Sequence, residues 1–316
     1  MKPLEKLKSK YTGCMVGAAI GDALGKQNEG RKREEILSRG YVTDYGKAEA
    51  GCPGEKLGAG QYTDDTEQMI VLSQSIIECD GFNAEDFARR IAKWGADAMN
   101  DPVRKSLVGP SSAAAITRLN SGISWKEAGS DTSSCGSAMR VAPIGLFYKD
   151  MDEIESNAVL SSIPTHNSKG ALGGAVAIAI GVGCALLDMG CFEIIKETSI
   201  RVSKYDTRLA KKIRLSFEKM EKEPDEMFAE LGTSYLVYDT VPCAFYCLSR
   251  HFEAPEKAII EAVNAGGDTD SIACMTGALC GALYGVDVFL EKWLKGLENK
   301  EMIEYLANMI FNKSRN

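Results

Sequence analysis

Gly266-Gly267-Asp268-Thr269-Asp270-Ser271-Ile272-Ala273-Cys274-Met275-Thr276-Gly277-Ala278-Leu279-Cys280-Gly281-Ala282-Leu283-Tyr284 reads in two halves. The first is a double-glycine turn carrying two carboxylates and two hydroxyls. The second, from Ile272, is uncharged and rich in small apolar side chains, the composition of a helix buried against close neighbours. Two carboxylates entering an apolar bundle repel each other and are costly to desolvate unless a cation compensates. Capping a helix needs one oxygen, so a cap alone does not explain Asp268 and Asp270 together.

A second cluster of the same kind, Thr63-Asp64-Asp65-Thr66, stands far upstream, again in front of a strongly helical segment. Any one of its residues reads equally well as an N-cap or as a first-turn acid that complements the helix dipole. The whole run offers more oxygen than a cap uses. Hard divalent cations take oxygen ligands of this type, and a two-metal site needs several on one spot. If the fold joins the two clusters, the protein is a metalloenzyme whose ions are held mainly by oxygen.

Outward from these runs the periodicity is helical. Met69, Leu72 and Ile76 share a face, as do Phe87, Ile91 and Trp94, and as do Leu209, Ile213, Phe217 and Met220. Three segments rich in small residues, Thr12–Leu24, Ala171–Leu187 and Ile272–Tyr284, are expected to form the centre of a compact bundle. Ser234–Tyr238 is the best strand candidate. About a dozen helices are expected, and 46–60, with five glycines and one proline, reads as a loop into the first acidic cluster. No linker, repeat or low-complexity tract interrupts the chain. The expectation is all-α: one domain over residues 1–316, an orthogonal helical bundle with a central dinuclear metal cleft.

The 316 residues are 45% hydrophobic and 26% charged, an ordinary profile for a globular protein with a sizeable core. A net charge of −7, without a basic stripe, argues against a nucleic-acid partner. The charged start Met1-Lys2-Pro3-Leu4-Glu5-Lys6 implies no export. Ala171–Leu187 is uncharged for 17 residues but lacks aromatic or basic anchors, so a buried helix is expected and no membrane partner. Ten cysteines without a Cys-x-x-Cys pair, and two histidines, speak for reduced thiols in the cytoplasm and against zinc.

Five motifs in fixed order carry a resemblance to a known family. They are Gly17-Ala18-Ala19-Ile20-Gly21-Asp22-Ala23-Leu24-Gly25, Thr63-Asp64-Asp65-Thr66, Gly136-Ser137-Ala138-Met139-Arg140, Thr165-His166 and Gly266-Gly267-Asp268-Thr269-Asp270-Ser271. In this order they resemble the ADP-ribosylglycohydrolase family, which includes the dinitrogenase reductase-activating glycohydrolase and the J1 crystallins. The match runs from about residue 10 to residue 290. It implies two Mg²⁺ or Mn²⁺ ions held by Thr63, Asp64 and Asp65 from one cluster and by Asp268, Asp270 and Ser271 from the other. Ser271 stands where the family more often has Thr; the hydroxyl is kept. Glu29 matches a family glutamate beside the metals and is the candidate acid/base, joined as catalytic residues by Asp64, Asp65 and Asp270.

The resemblance also implies where ADP-ribose, free or on a modified protein, binds. Gly109-Pro110-Ser111-Ser112 precedes a helix whose N-terminal N–H groups suit a pyrophosphate. Gly109 and Ser111 there, Ser133, Gly136 and Ser137 in the following turn, and His166 are the expected contacts. Cys135 stands where that turn often has Asn. Arg140 is expected to be a buried structural partner for an acid, with Asp22 the candidate. Ser106-Leu107-Val108 occupies a stretch where some arginine-directed members carry an aspartate, which disfavours an arginine acceptor. The expected reaction is metal-dependent hydrolysis at C1″ of the distal ribose by a monomeric enzyme. A non-catalytic ADP-ribose binder or crystallin-like protein, and a two-metal phosphoesterase, are the alternatives.

Overall fold

The apolar run beginning at Ile272 is helical from Thr269 to Tyr284 in the computed structural model, which describes residues 3–48 and 50–315. Among the described residues there are seventeen α-helices and no sheet, where the periodicity predicted about a dozen helices. The excess comes from pieces of four to eight residues, too short for a 3.6-residue pattern to register. In chain order they are α1 (Pro3–Gly25), α2 (Arg33–Arg39), α3 (Asp64–Cys79), α4 (Ala84–Asn100), α5 (Pro110–Asn120), α6 (Trp125–Ala128), α7 (Ala142–Phe147), α8 (Met151–Ser162) and α9 (Lys169–Leu186). The second half holds α10 (Cys191–Val202), α11 (Thr207–Glu218), α12 (Pro224–Leu231), α13 (Val237–Arg250), α14 (Pro255–Val263), α15 (Thr269–Tyr284), α16 (Glu291–Gly296) and α17 (Lys300–Lys313).

Ser234–Tyr238, the best strand candidate, forms no strand, in keeping with the all-α expectation. Leu236 makes one isolated bridge to Ser134, and α13 begins at Val237. The segment exchanges two backbone hydrogen bonds with the Ser133–Cys135 stretch, Cys135 N–H to the Tyr235 carbonyl and Val237 N–H to the Ser133 carbonyl, before the chain turns into α13.

The α1–α15 pair organises the molecule. Gly13, Gly17, Gly21 and Gly25 recur every fourth residue along one face of α1, which packs antiparallel on α15. A Cβ at Gly21 would stand 2.0 Å from the carbonyl oxygen of Ala273, and one at Gly277 would stand 2.0 Å from that of Gly17. Only glycine allows backbones this close. The antiparallel crossing sets the C-terminal end of α1, with Asp22, beside the N-terminal end of α15, with Asp268 and Asp270. Position along the bundle axis is thus decided by glycine spacing.

α9 completes the centre as expected from its composition. It is long and apolar enough to cross a membrane, with a mean hydropathy of 1.7, yet 83% of it is buried inside the fold against its neighbouring helices. Met69, Leu72, Ile76, Phe87, Ile91, Trp94, Leu209 and Ile213 all reach one continuous apolar core, as their periodicity predicts. All ten cysteines are unbridged, and Cys184, Cys274 and Cys280 are buried among apolar side chains.

Candidate active site

Asp22 decides what the first acidic cluster is free to do. It is fully buried in α1, and its carboxylate accepts from the backbone N–H of Thr63 (3.0 Å), the N–H of Thr66 (3.0 Å) and the Thr66 hydroxyl (2.6 Å). Burial pushes this carboxyl above its ordinary range, and the three donors oppose that shift. The N-terminus of α3 is therefore capped from outside, with only a long 3.4 Å contribution from the Thr63 hydroxyl to the Asp65 N–H. Asp64 and Asp65 are released from capping, and both line a cleft. Arg140 does not pair with Asp22 as expected: the Asp22 carboxylate is turned to the N-terminus of α3, and the guanidinium is held by Gln68, Ser161 and Thr165.

The second cluster reaches the same cleft. Gly266 and Gly267 have φ of +86° and +68°, conformations that side chains other than glycine rarely adopt. A Cβ at Gly267 would also lie 1.9 Å from the Thr233 carbonyl oxygen. The Gly267 carbonyl accepts from the N–H of Gly30 at 2.8 Å, and its own N–H donates to the Arg31 carbonyl at 2.8 Å. These two bonds fasten the turn after α1 to the double-glycine turn and bring Glu29 beside Asp268 and Asp270. Asp268 occupies the N-cap position of α15 without capping it.

Glu29, Asp64, Asp65, Asp268, Asp270 and Ser271 thus form one wall of a cleft of about 810 Å³. The two clusters are close enough to act on each other: Asp268 raises Asp64 and Asp65, and Glu29 and Asp65 raise Asp270. Desolvation first, and the neighbouring carboxylates second, hold Asp64, Asp65 and Asp270 well above the ordinary carboxylate range. The same causes push Glu29 up to about 8. Oδ2 of Asp65, a residue only 3% exposed, is buried without any hydrogen-bond partner.

Among the described residues, no three Asp, Glu, His or Cys side chains stand already closed into a metal's ligand shell. The donor set nevertheless fits a hard divalent cation. The donors of the acidic wall are oxygens, like charges are crowded in a cleft that no lysine or arginine lines, and Oδ2 of Asp65 is orphaned. Asp64, Asp65, Asp268 and Asp270 supply the charge, and the Ser271 hydroxyl lies among them. Thr63 is buried behind this wall, its hydroxyl turned to the backbone of α3.

The facing wall carries a helix N-terminus and a run of hydroxyls. Gly109 and Pro110 open α5 with Pro at its first position, so backbone N–H groups and the Ser111 and Ser112 hydroxyls face the cleft. Thr132, Ser133, Ser134, Cys135 and Gly136 continue this wall. The Thr132 and Ser134 hydroxyls both meet Ser111, at 2.8 and 3.1 Å. His166 lines the cleft, whereas Ser137 does not: it is fully buried behind the wall, where its hydroxyl meets that of Ser162 at 2.8 Å.

Sequence reading missed several members. Leu107, Met139, Tyr235 and Leu236 line the cleft, and Tyr235 is 65% exposed at its rim. Tyr235 was hidden because its segment read as a strand. Cys135 was set aside as a departure, yet its thiol lies 3.1 Å from Asp268 Oδ2, and burial raises it well above an ordinary thiol. Gln68 and Asp22 had a legible signal, since both are polar groups set in apolar helical faces.

Residues 3–316 match the family model for ADP-ribosylglycohydrolase. An uncharacterized protein of Archaeoglobus fulgidus is 40% identical over 311 residues, covering 96% of this chain and 97% of that protein. Human ADP-ribosylhydrolase ARH3 is 29% identical, covering 97% of this chain and 94% of its own. ADP-ribosylarginine hydrolase Tri1 of Pseudomonas putida is 27% identical, covering 98% of this chain and 80% of that protein. A solved structure of an ADP-ribosylglycohydrolase-related protein complex superposes with a TM-score of 0.82 at 25% identity, over 98% of this chain and 99% of that one. With the glycine-set helix pair and the two acidic helix ends now traced to one cleft, the match over the full length makes this chain a member of the ADP-ribosylglycohydrolase family and a glycohydrolase by class.

Proposed function

We propose that the cleft binds ADP-ribose joined to an acceptor and hydrolyses the bond at C1″, reversing ADP-ribosylation with two Mg²⁺ or Mn²⁺ ions. One observation carries this reading: two acidic helix ends share a wall that faces a helix N-terminus and a hydroxyl-rich turn across one cleft. Asp64 and Asp65 on one side, and Asp268, Asp270 and Ser271 on the other, would hold the ions, with Thr63 adjoining. Bound there, such ions supply Lewis acidity, lowering the pKa of water and anchoring ribose hydroxyls.

The remaining steps belong to the chain's own residues. The α5 N-terminus at Gly109 and Ser111, with Ser133 and Gly136, receives the pyrophosphate and proximal ribose. His166 reaches the same region, and Ser137 supports the turn from behind. Leaving-group departure develops positive charge at C1″, which the crowded carboxylates stabilise. Glu29, beside Asp268 and Asp270, is placed to pass a proton to the leaving group when protonated or to take one from water when ionised. Half-buried Leu107 stands at the rim where an acid would serve a guanidinium, so a neutral, oxygen-linked acceptor fits better. Ten unbridged cysteines suit a reducing cytoplasm, and the complete cleft within one chain suits a monomer.

The test offers a panel of arginine- and serine-linked ADP-ribosyl peptides with Mg²⁺, Mn²⁺ or a chelator. Free ADP-ribose is expected from the serine-linked substrate, and only with metal. AMP and ribose phosphate would identify a phosphoesterase instead. Tight ADP-ribose binding without turnover of any substrate would identify a binder.

A further inference from the structure

A buried chain of hydrogen bonds runs behind the cleft and joins its two walls. Arg140 is fully buried at its centre, its guanidinium 5.1 Å from the centre of the Phe87 ring. Nη1 donates to Gln68 Oε1 at 2.6 Å, and Nη2 donates to the Thr165 hydroxyl at 2.6 Å and to the Ser161 carbonyl at 3.1 Å. Gln68 then donates from Nε2 to Asp64 Oδ2 at 2.7 Å. On the other side the Thr165 hydroxyl lies 2.8 Å from Nδ1 of His166.

Proton bookkeeping fixes the direction of the Arg140 and Gln68 bonds. Arginine has donors only, so Gln68 must turn its carbonyl to Arg140 and its amide NH₂ to Asp64, and Thr165 must accept from Arg140. The single hydroxyl proton of Thr165 then has two acceptors in reach, Nδ1 of His166 at 2.8 Å and the Ser162 carbonyl at 3.5 Å. The shorter contact lies at the usual hydrogen-bond distance and the longer one at its limit. Nδ1 therefore accepts, which leaves the imidazole proton on Nε2. That edge of the ring rests on the cleft wall: a Cβ at Gly136 would lie 2.7 Å from Cε1 and 2.9 Å from Nε2 of His166. Burial and the nearby Arg140 charge push His166 down to about 3, so the ring is neutral near pH 7.

We propose that Arg140 is a positioning residue which, through Thr165, fixes His166 as a neutral Nε2–H donor facing the cleft and, through Gln68, orients Asp64 on the opposite wall. A neutral donor suits a phosphate or hydroxyl oxygen of the ligand, and in assigning that ligand the inference rests on the function proposed above. The same guanidinium sets the geometry of a sugar-side donor and an acid-side ligand.

The chain has two histidines, so the imidazole region of a long-range ¹H–¹⁵N NMR spectrum is simple, and His251→Gln identifies the other ring. His166 is expected to carry its proton on Nε2 and to keep Nδ1 pyridine-like between about pH 6 and 8. Thr165→Val, which keeps the shape and removes the hydroxyl, is expected to give mixed tautomers and about tenfold weaker ADP-ribose binding. Thr165→Ser should restore both. A proton on Nδ1 in the unmodified protein, or a Thr165→Val protein with unchanged tautomer and affinity, would overturn the inference. If Thr165→Val does not fold, the spectrum of the unmodified protein alone decides. An Nε2-protonated His166 in a protein that binds no ADP-ribose supports the positioning and removes the proposed function, so the two failures are distinguishable.

Discussion

Asp65→Asn and Asp270→Asn are each expected to lower metal-dependent ADP-ribose release on the order of 10³-fold, while making the metal-free protein more resistant to heat. The two effects share one cause. Asp65 and Asp270 are buried at 3% and 4% exposure, crowded by Asp22, Asp64, Asp268 and Glu29, and Oδ2 of Asp65 has no partner. Without a cation their ionised forms oppose folding, and an amide of the same shape removes that charge. A gain on the order of 1 kcal/mol is expected in the metal-free variant, read as a higher Tm by calorimetry without added metal. Ordinary buried substitutions move stability the other way. A variant that keeps full metal-dependent turnover, or that loses stability without metal, would show that these carboxylates serve the fold and not the site.

The second large effect is a pH dependence that metal abolishes. Glu29 is raised from 4.5 to about 8, and Asp64, Asp65 and Asp270 are raised in the same direction. Above their unfolded values these groups keep protons in the folded chain that the unfolded chain has lost. Stability from that source is complete at low pH and is lost as pH rises through the folded values, at about 1.4 kcal/mol per pH unit for each proton retained. His166, lowered to about 3, acts oppositely only below its ordinary 6.5, and Lys26, lowered to about 8, acts oppositely only above that point. The window from about pH 6.5 to 8 isolates the carboxylates. Across it the metal-free Tm is expected to fall, and the increase given by saturating Mg²⁺ is expected to grow. An Mg²⁺-induced increase that is equal at both ends of the window would contradict the shared-cation reading.

The helical class, the central helices and the two acidic clusters were legible because each depends on local composition. A run rich in small residues and a periodic apolar face need no knowledge of the partner. What could not be read was who takes which hydrogen bond. Thr63 and the acids after it carry the signature of a self-capped helix, and nothing local reveals that Asp22, forty residues earlier in sequence, takes over the capping. Arg140 is the converse case. An arginine in an apolar run calls for an acid, but the nearest acid is screened from it by Gln68, whose amide satisfies both. The short helices escaped for a related reason, since segments this short take their conformation from what lies alongside.

Ser137 marks the limit of motif reading at single-residue resolution. It belongs to a turn whose neighbours Ser133, Cys135 and Gly136 line the cleft, yet the tight turn over Cys135–Ser137 swings it to the far side of the wall. Cys135, itself buried, occupies the cleft-lining position and sets a thiol beside Asp268.

Diffraction from a crystal soaked in Mn²⁺, with data collected for manganese anomalous scattering, tests the central claim most directly. Two anomalous peaks are predicted between the N-terminal ends of α3 and α15, within ligating reach of Asp64, Asp65, Asp268 and Asp270. A fully occupied crystal surface with no peak at that wall would contradict the account.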